Sequence, residues 1–380
     1  MNYITPVDSA SAAADIYKYR IGANFSKELR VTNSNFDGEF KFGKNSRFKG
    51  LTGNGDVVSE TGFGLVGQGL GNRQDEAIVI IRGTHLWSKH DWLTNINASV
   101  AKTVKGHDVH SGFYKTFNSF NQQINDILEN QSVVHVIGHS LGGALATLTC
   151  DYLANRGRTP ILYTFGAPRV GTESFARYFT KLIKDENIFR VYNRQDPVTM
   201  VPAWPFMQHP MPGNGLSVGV HGITLNPYHH VMDQYITLCE TADWDTMRIE
   251  RNHNTVSDRM IENWLESGQM ASVNNSFVLF HSAINYVLTK VFKKTGVQGL
   301  SKFTNSVTAL DRMAFVLSEA AKKYKEIKGL IKRLMLKILE DLGYPYDINM
   351  NLTANFIRWV LDSMMKMIGY KVKVALSLPN

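Results

Sequence analysis

The segment Gly138-His139-Ser140-Leu141-Gly142-Gly143 constrains this 380-residue chain more than any other. The run before it, Val133-Val134-His135-Val136-Ile137, is β-branched and reads as a buried strand, while Ala144 to Leu153 has the composition of an apolar helix. A G-x-S-x-G sequence between a strand and a helix forces a tight turn that lifts the serine Oγ above the sheet edge. Side chains at Gly138 or Gly142 would collide there with the neighbouring strand and helix. The helix N-terminus also aims backbone N–H groups at the same point, which favours a developing negative charge. An incidental serine in a Gly-rich turn is the plain alternative, and the surrounding chain decides against it.

From residue 76 the pattern alternates between strands and helices. Ala77-Ile78-Val79-Ile80-Ile81, Ile161-Leu162-Tyr163-Thr164-Phe165 and Ile188-Phe189-Arg190-Val191-Tyr192 are further buried-strand runs. Phe113 to Leu128 and Phe175 to Ile183 have helical spacing. This order predicts right-handed crossovers and a mainly parallel sheet covered on both faces. Residues 1–75 read as a peripheral layer, with a helix over Ala10 to Arg20 and hairpin strands within Gly50 to Gly71. Gly67, Gly69 and Gly71 precede a strand, not a helix, so no dinucleotide-binding turn is expected.

After Thr241 strand runs stop. Met247 to Met270 reads as polar helix. Leu310, Met313, Leu317, Ala320, Tyr324, Ile327, Ile331, Leu334 and Ile338 step alternately by three and four, which predicts one long helix with a narrow apolar seam, stopping near Gly343 and Pro345. The net charge is +8, and residues 276–380 carry 16 Lys and Arg against 7 Asp and Glu. The basic character therefore belongs to the tail, which argues against nucleic acid as the partner of the whole chain. Cys150 and Cys239 are too few for a disulfide scaffold or a four-cysteine zinc site, and they read as buried small hydrophobes. Neither a signal peptide nor a membrane span is expected. That places the chain in the cytoplasm, or outside the cell by a leaderless route, with peripheral membrane association as an option.

A serine hydroxyl is a poor nucleophile near neutral pH and needs a His base steadied by an acid. On this architecture the order is Ser, then Asp or Glu, then His. Asp196 falls just past the strand ending at Tyr192, at the same sheet edge as Ser140. His209, His221, His229 and His230 all follow, and order alone does not choose between them. The backbone N–H of Leu141, directly after the serine, is the expected first oxyanion donor.

Taken together, these residues resemble the class 3 lipases, the α/β-hydrolase group that includes filamentous-fungal triacylglycerol lipases, over roughly residues 75–240. Ile80-Ile81-Arg82-Gly83-Thr84 resembles the family's strand ending in Arg-Gly-Ser/Thr. Asp91-Trp92-Leu93-Thr94-Asn95 resembles the segment after its lid, and Val109-His110-Ser111-Gly112-Phe113 its Val-His-x-Gly-Phe. Thr164-Phe165-Gly166-Ala167-Pro168-Arg169-Val170-Gly171 resembles its Phe-Gly-x-Pro-Arg-x-Gly, and Asp196-Pro197-Val198 with Val201-Pro202 its Asp-x-Val-Pro region.

The resemblance implies an α/β-hydrolase fold with a mainly parallel central sheet, spanning residues 1–245 (core 76–240), followed by a helical C-terminal region over 246–380. It implies a triad of Ser140, Asp196 and His230, because His230 lies five residues before Tyr235 as the family pattern requires, while His229 misses by one. Thr84 matches the second oxyanion donor. Trp87 and Trp92, near the lid position, and Trp204 and Phe206, after the acid, are expected to meet an acyl chain. The chemistry needs no cofactor and no metal.

Three departures from the fungal pattern stand out: no disulfides, only 34 residues from Asp196 to His230, and the added helical region. The expected function is hydrolysis of lipid or phospholipid esters through an acyl-enzyme, with a leaderless bacterial effector as one setting by analogy. The basic tail, with Lys322, Lys323, Lys325, Lys328, Lys332, Arg333 and Lys337, is expected either to pack as a bundle, to meet a membrane surface, or to dock an inhibitory or delivery protein. The alternative of a different class is a catalytically inactive lipase-like protein whose tail does the binding.

Overall fold

The computed structural model describes residues 2–18, 38–43, 45–54, 57–83, 99–211, 215–219, 225–253, 257–267, 276–295, 309–345 and 349–379. The chain opens with α1 (Pro6–Asp15), capped by the Thr5 side chain, four residues earlier than the helix expected from composition. Three strands follow: β1 (Phe40–Lys41), β2 (Arg47–Asn54) and the long β3 (Val57–Gly69). Next come β4 (Glu76–Ile81) and the short β5 (Val100–Lys102) and β6 (Asp108–His110). The helical stretch expected over 113–128 is broken into α2 (Ser111–Asn118) and α3 (Asn121–Ile127). Phe120 interrupts it, with its ring turned into the core against Phe48 and Phe63.

The serine turn joins β7 (Val133–His139) to α4 (Leu141–Ala154). Beyond it lie β8 (Thr159–Phe165), β9 (Gly171–Thr172), α5 (Glu173–Ile183), β10 (Ile188–Asn193), β11 (Phe206–Met207) and β12 (Leu216–Val218). Strands β4, β7, β8, β10 and β12 are parallel neighbours in that order. Strand β3 lies antiparallel on β4, and both β1 and β2 pair with its far edge. A second, small antiparallel sheet has the order β11-β9-β6-β5. This is the expected α/β-hydrolase arrangement, a mostly parallel sheet with crossover helices.

Strand periodicity sorts the two faces of the sheet. Val79, Ile81, Val136, Leu162 and Ile188 enter one core with α4 and α5. Ile78, Ile80, Ile137, Tyr163 and Phe189 enter the other, under α1, α6 (Met232–Cys239) and α7 (Trp244–His253). The single polar helix expected over 247–270 is two, since α8 (Asp258–Glu266) starts afresh on a Ser257 cap.

The remaining helices are α9 (Ser276–Thr295), α10 (Ala309–Lys323), α11 (Lys325–Asp341) and α12 (Ala354–Ser377). The long seam helix expected over 310–338 does not exist. Tyr324 is extended, with φ −129° and ψ 112°, and separates α10 from α11. The three–four spacing survives the break because Leu317 and Ala320 before it, and Ile327 and Ile331 after it, are all buried. One continuous helix over this stretch would run roughly 44 Å. The break folds both halves back onto one interior. That interior is continuous with the first sheet core, so Phe48 and Val136 belong to the same apolar cluster as Leu361 and Val372.

Lys337, expected on the exposed basic face, is buried instead. Its ammonium lies 5.8 Å over the Trp264 ring, and burial holds its pKa below the ordinary lysine value. Among the described residues no helix is long and apolar enough to cross a membrane.

Candidate active site

Ser140 sits between the last residue of β7 and the first of α4, with φ 55° and ψ −129°, a region that non-glycine residues rarely occupy. Its N–H donates to the Phe165 carbonyl at 3.0 Å, which ties the turn to β8. The glycines around it have no room for side chains. A Cβ at Gly138 would lie 2.3 Å from the Gly142 oxygen, and one at Gly142 would lie 2.2 Å from the Ile81 oxygen.

His230 ends the short 3-10 turn Pro227–His230 before α6, and Asp196 follows β10. The Ser140 Oγ is 3.0 Å from His230 Nε2, and His230 Nδ1 is 2.9 Å from Asp196 Oδ2. All three side chains are buried. The Asp196 carboxylate takes two further bonds: Oδ1 accepts from the Val198 N–H at 2.9 Å, capping the turn Pro197–Met200, and Oδ2 accepts from the Tyr235 hydroxyl at 2.8 Å. Burial holds the Tyr235 phenol well above its ordinary pKa, so it stays a donor, while its oxygen accepts from the Asn193 N–H at 3.1 Å. An acceptor-only carboxylate makes His230 Nδ1 the donor. Nε2 then presents a lone pair to the serine hydroxyl.

His139 fixes the imidazole from behind. Its Nε2 faces the His230 carbonyl at 2.9 Å and must therefore donate, leaving Nδ1 to accept from the Tyr17 hydroxyl at 2.8 Å. Burial, aided by His230 nearby, keeps the His139 pKa well below its usual value, so the ring is neutral. Gly166, at φ +57°, completes the wall. A Cβ there would stand 2.7 Å from Asp196 Oδ2 and 3.0 Å from His230 Nδ1.

The structure thus brings Ser140, Asp196 and His230 together in one hydrogen-bonded line. Leu141 is the first residue of α4, so its N–H is one of the donors that a helix leaves without an internal partner. Thr84, Trp87 and Trp92 lie outside the described residues, as does His221. Of the other histidines, His229 neighbours the line without joining it, and burial lowers its pKa. His209 is buried beside Phe179, and burial lowers its pKa to about 3.

Trp204 lines a cleft together with Met200, Ala203 and side chains of α9, α10 and α12. Phe206 is placed differently from expectation. It is buried in the small sheet against the His110 ring, 5.7 Å away, because β11 pairs with β9 there. Helix α12 packs on both the Pro197–Met200 and Pro227–His230 turns, and Lys371 donates to the Leu225 carbonyl at 2.9 Å. Sequence reasoning did not find the roles of Tyr17 and His139. Tyr235 entered it only as the spacing mark for His230.

Residues 78–206 match the family described as Lipase (class 3). The secreted mono- and diacylglycerol lipase 1 of Fusarium solani is 34% identical over 157 residues, covering 39% of this chain and 46% of that protein. The lipase of Rhizopus oryzae is 33% identical over 153 residues, covering 36% and 37% respectively. The toxin TseL of Vibrio cholerae is 33% identical over 105 residues, covering 26% and 15%. This chain therefore spans less than half the length of these curated relatives. Among solved structures, the nonglycosylated LIP2 lipase of Yarrowia lipolytica is similar at 23% identity and a TM-score of 0.44, covering 57% of this chain and 79% of that one.

Proposed function

We propose that this chain, whose residues 78–206 match the family described as Lipase (class 3), is a serine hydrolase of lipid carboxylic esters. The observation that carries this reading is the Oγ–Nε2–Nδ1–Oδ2 line of 3.0 and 2.9 Å at the carboxyl ends of β7 and β10. Ser140 Oγ attacks the ester carbonyl as His230 Nε2 takes its proton. His230 returns that proton to the leaving alcohol, and an acyl group remains on Ser140. Water, deprotonated by the same nitrogen, then releases the fatty acid. Asp196 holds the imidazole in the tautomer that both steps need. The Leu141 N–H, with Thr84 as its expected partner, stabilises the tetrahedral oxyanion.

Lipid substrates are favoured by the relatives, which include a mono- and diacylglycerol lipase. The likeness to a toxin supports an effector role for the same chemistry. The C-terminal helices are proposed to contact a membrane surface. Phe315, Trp359 and Tyr370 are exposed on α10 and α12, and aromatic rings of this kind settle at the lipid–water boundary.

The test is active-site labelling with a fluorophosphonate. The parent chain should label and hydrolyse short-chain esters, and Ser140→Ala should do neither. Labelling that survives Ser140→Ala would place the nucleophile elsewhere. No labelling of the parent in any detergent would favour a lipase-like binding protein.

A further inference from the structure

The C-terminal helices meet the α/β core beside the triad itself. Helix α12 packs on the Pro197–Met200 turn, which follows Asp196, and on the Pro227–His230 turn, which ends in the base. The contact is largely apolar: Ile368, Val372 and Ala375 of α12 share one cluster with Val198, Met200 and Leu225. Apolar burial has no direction of its own, whereas a hydrogen bond fixes one atom against another.

A polar bond crosses this contact. Lys371 Nζ, half-buried on α12, donates to the Leu225 carbonyl at 2.9 Å. The Leu225 carbonyl and the Asn226 N–H are the two ends of one peptide group, and that N–H donates to the Gln195 carbonyl at 2.9 Å. The Gln195 carbonyl and the Asp196 N–H are the ends of another, and that N–H donates to the Asn193 carbonyl at 3.0 Å, where β10 stops. An ammonium group therefore heads a line of peptide groups running from α12, through the segment before His230, to the backbone of Asp196. Groups in such a line polarise one another, so a charge at its head strengthens the bonds beyond it. Asn226 also winds the turn that delivers the base. Its side-chain oxygen accepts from the Tyr228 N–H at 3.1 Å, and its carbonyl accepts from the His229 N–H at 3.0 Å. Asp341, at the end of α11, feels the same ammonium. Burial, aided by Glu340, holds its carboxyl above the ordinary pKa, and the Lys371 charge offsets part of that rise.

On the ester-hydrolase reading, we propose that Lys371 is a positioning residue for the reaction: by fixing the Leu225 carbonyl it sets the turn that carries His230 against the loop that carries Asp196. It acts through two peptide groups and not on the reacting atoms. Proton transfer needs His230 Nε2 within reach of Ser140 Oγ while Nδ1 stays on Asp196. A misplacement of about 1 Å in such an arrangement costs on the order of a hundredfold in rate. The C-terminal helices are on this account part of the catalytic unit and not only a binding appendage.

The test uses the full chain and three variants. Lys371→Met keeps the alkyl stem and removes the donor, and Lys371→Arg keeps a charged donor. Lys366→Met changes an exposed lysine of the same helix. On p-nitrophenyl butyrate, a soluble ester, Lys371→Met should lower kcat at least about fivefold with KM changed less than about twofold. Lys371→Arg should recover at least about half of the parent kcat, and Lys366→Met should match the parent. All are assayed where circular dichroism shows them folded. A smaller fall in Lys371→Met, a loss seen as a raised KM, an equal loss in Lys366→Met, or no recovery in Lys371→Arg overturns the proposal.

A second readout needs no hydrolysis. Amide exchange, followed by mass spectrometry, should be slow at Asn226 and Asp196 in the parent. Both amides should exchange at least about tenfold faster in Lys371→Met, while those of α12 keep their parent rates. Fast exchange at both amides in the parent overturns the line of bonds without any variant, which covers a Lys371→Met chain that does not fold. Unchanged exchange at these amides in Lys371→Met, or a rise spread equally through α12, overturns it as well. If the parent hydrolyses no ester and the exchange still follows the expected pattern, the ester reading falls alone and Lys371 still holds the two turns together.

Discussion

The α/β half buries Arg169, Arg190, His135, His139, Asp196 and His230. The helices after residue 276 bury little besides Leu, Ile, Val, Met, Ala and aromatic rings, with Ser318 and Lys337 as the buried polar side chains among the described residues. The two halves are therefore specified in different ways. A buried polar group must find its partner at hydrogen-bond distance, so residue identity and position are fixed together. An apolar helix face needs only matching volume and period, and many sequences satisfy it. Yet both halves share one continuous apolar cluster, so the difference lies in how each is specified, not in separate folding.

The comparison is tested most strongly at the polar site. His230→Ala should lower kcat on a soluble ester by about 10⁴–10⁶-fold, and adding Ser140→Ala should lower it little further, because such residues act as a unit. The fold should survive, as judged by circular dichroism. A loss of only tenfold would mean that the hydrogen-bonded line is structural.

At the helical side the largest effect should come from apolar truncation. Leu361 is buried in α12 on the cleft wall. Leu361→Ala should reduce stability by about 2–5 kcal/mol. The whole chain should then unfold in one calorimetric transition at lower temperature. Two separated transitions would break the claim of a shared interior.

A smaller effect should be seen at Asp151 in α4, where burial raises the carboxyl pKa to about 6 from 3.8. The native state therefore disfavours the ionised form. The stability held below the unfolded pKa is lost as pH rises through about 6. Asp151→Asn removes that loss and should gain about 3 kcal/mol at pH 8 and almost nothing at pH 4. Urea midpoints across this range check it. An equal gain at both pH values would mean that the carboxylate does not titrate as described.

The contrast also explains what was legible in the amino-acid sequence. The turn around Ser140, the strand runs of β4, β7, β8 and β10, and the placing of Asp196 followed from chemistry that admits few alternatives. His230 needed the resemblance, because His229 differs from it only by a one-residue offset that decides which ring faces the serine. The break at Tyr324 was invisible, because burial on both sides keeps the same period whether or not the backbone stays helical. The burial of Lys337 was equally hidden, since its stem and ammonium are covered by Trp264 of α8, a contact that no local pattern encodes. On sequence alone Phe206 belongs to the pocket, because it follows the acid closely. Its pairing partner β9 lies more than thirty residues upstream, and that pairing turns the ring toward His110.

The smallest predicted effect is also a gain in stability. Gly329 lies in the interior of α11, and a Cβ there would meet only Arg333 Nη1, at an ordinary 3.9 Å. Its φ is not in the left-handed region, so alanine fits the existing backbone. Gly329→Ala should stabilise the chain by about 0.5–1 kcal/mol, because alanine leaves the unfolded chain with less freedom to lose and prefers the helix. A rise in melting temperature of about 2 °C with unchanged ester hydrolysis would fit. The same change at Gly142 would set a methyl 2.2 Å from the Ile81 carbonyl. Of the two glycines, Gly329 has no steric need to be glycine, while Gly142 is held by the approach of a neighbouring strand. A destabilising Gly329→Ala would mean that α11 also depends on close backbone contacts, and the distinction between the two halves would fail at that point.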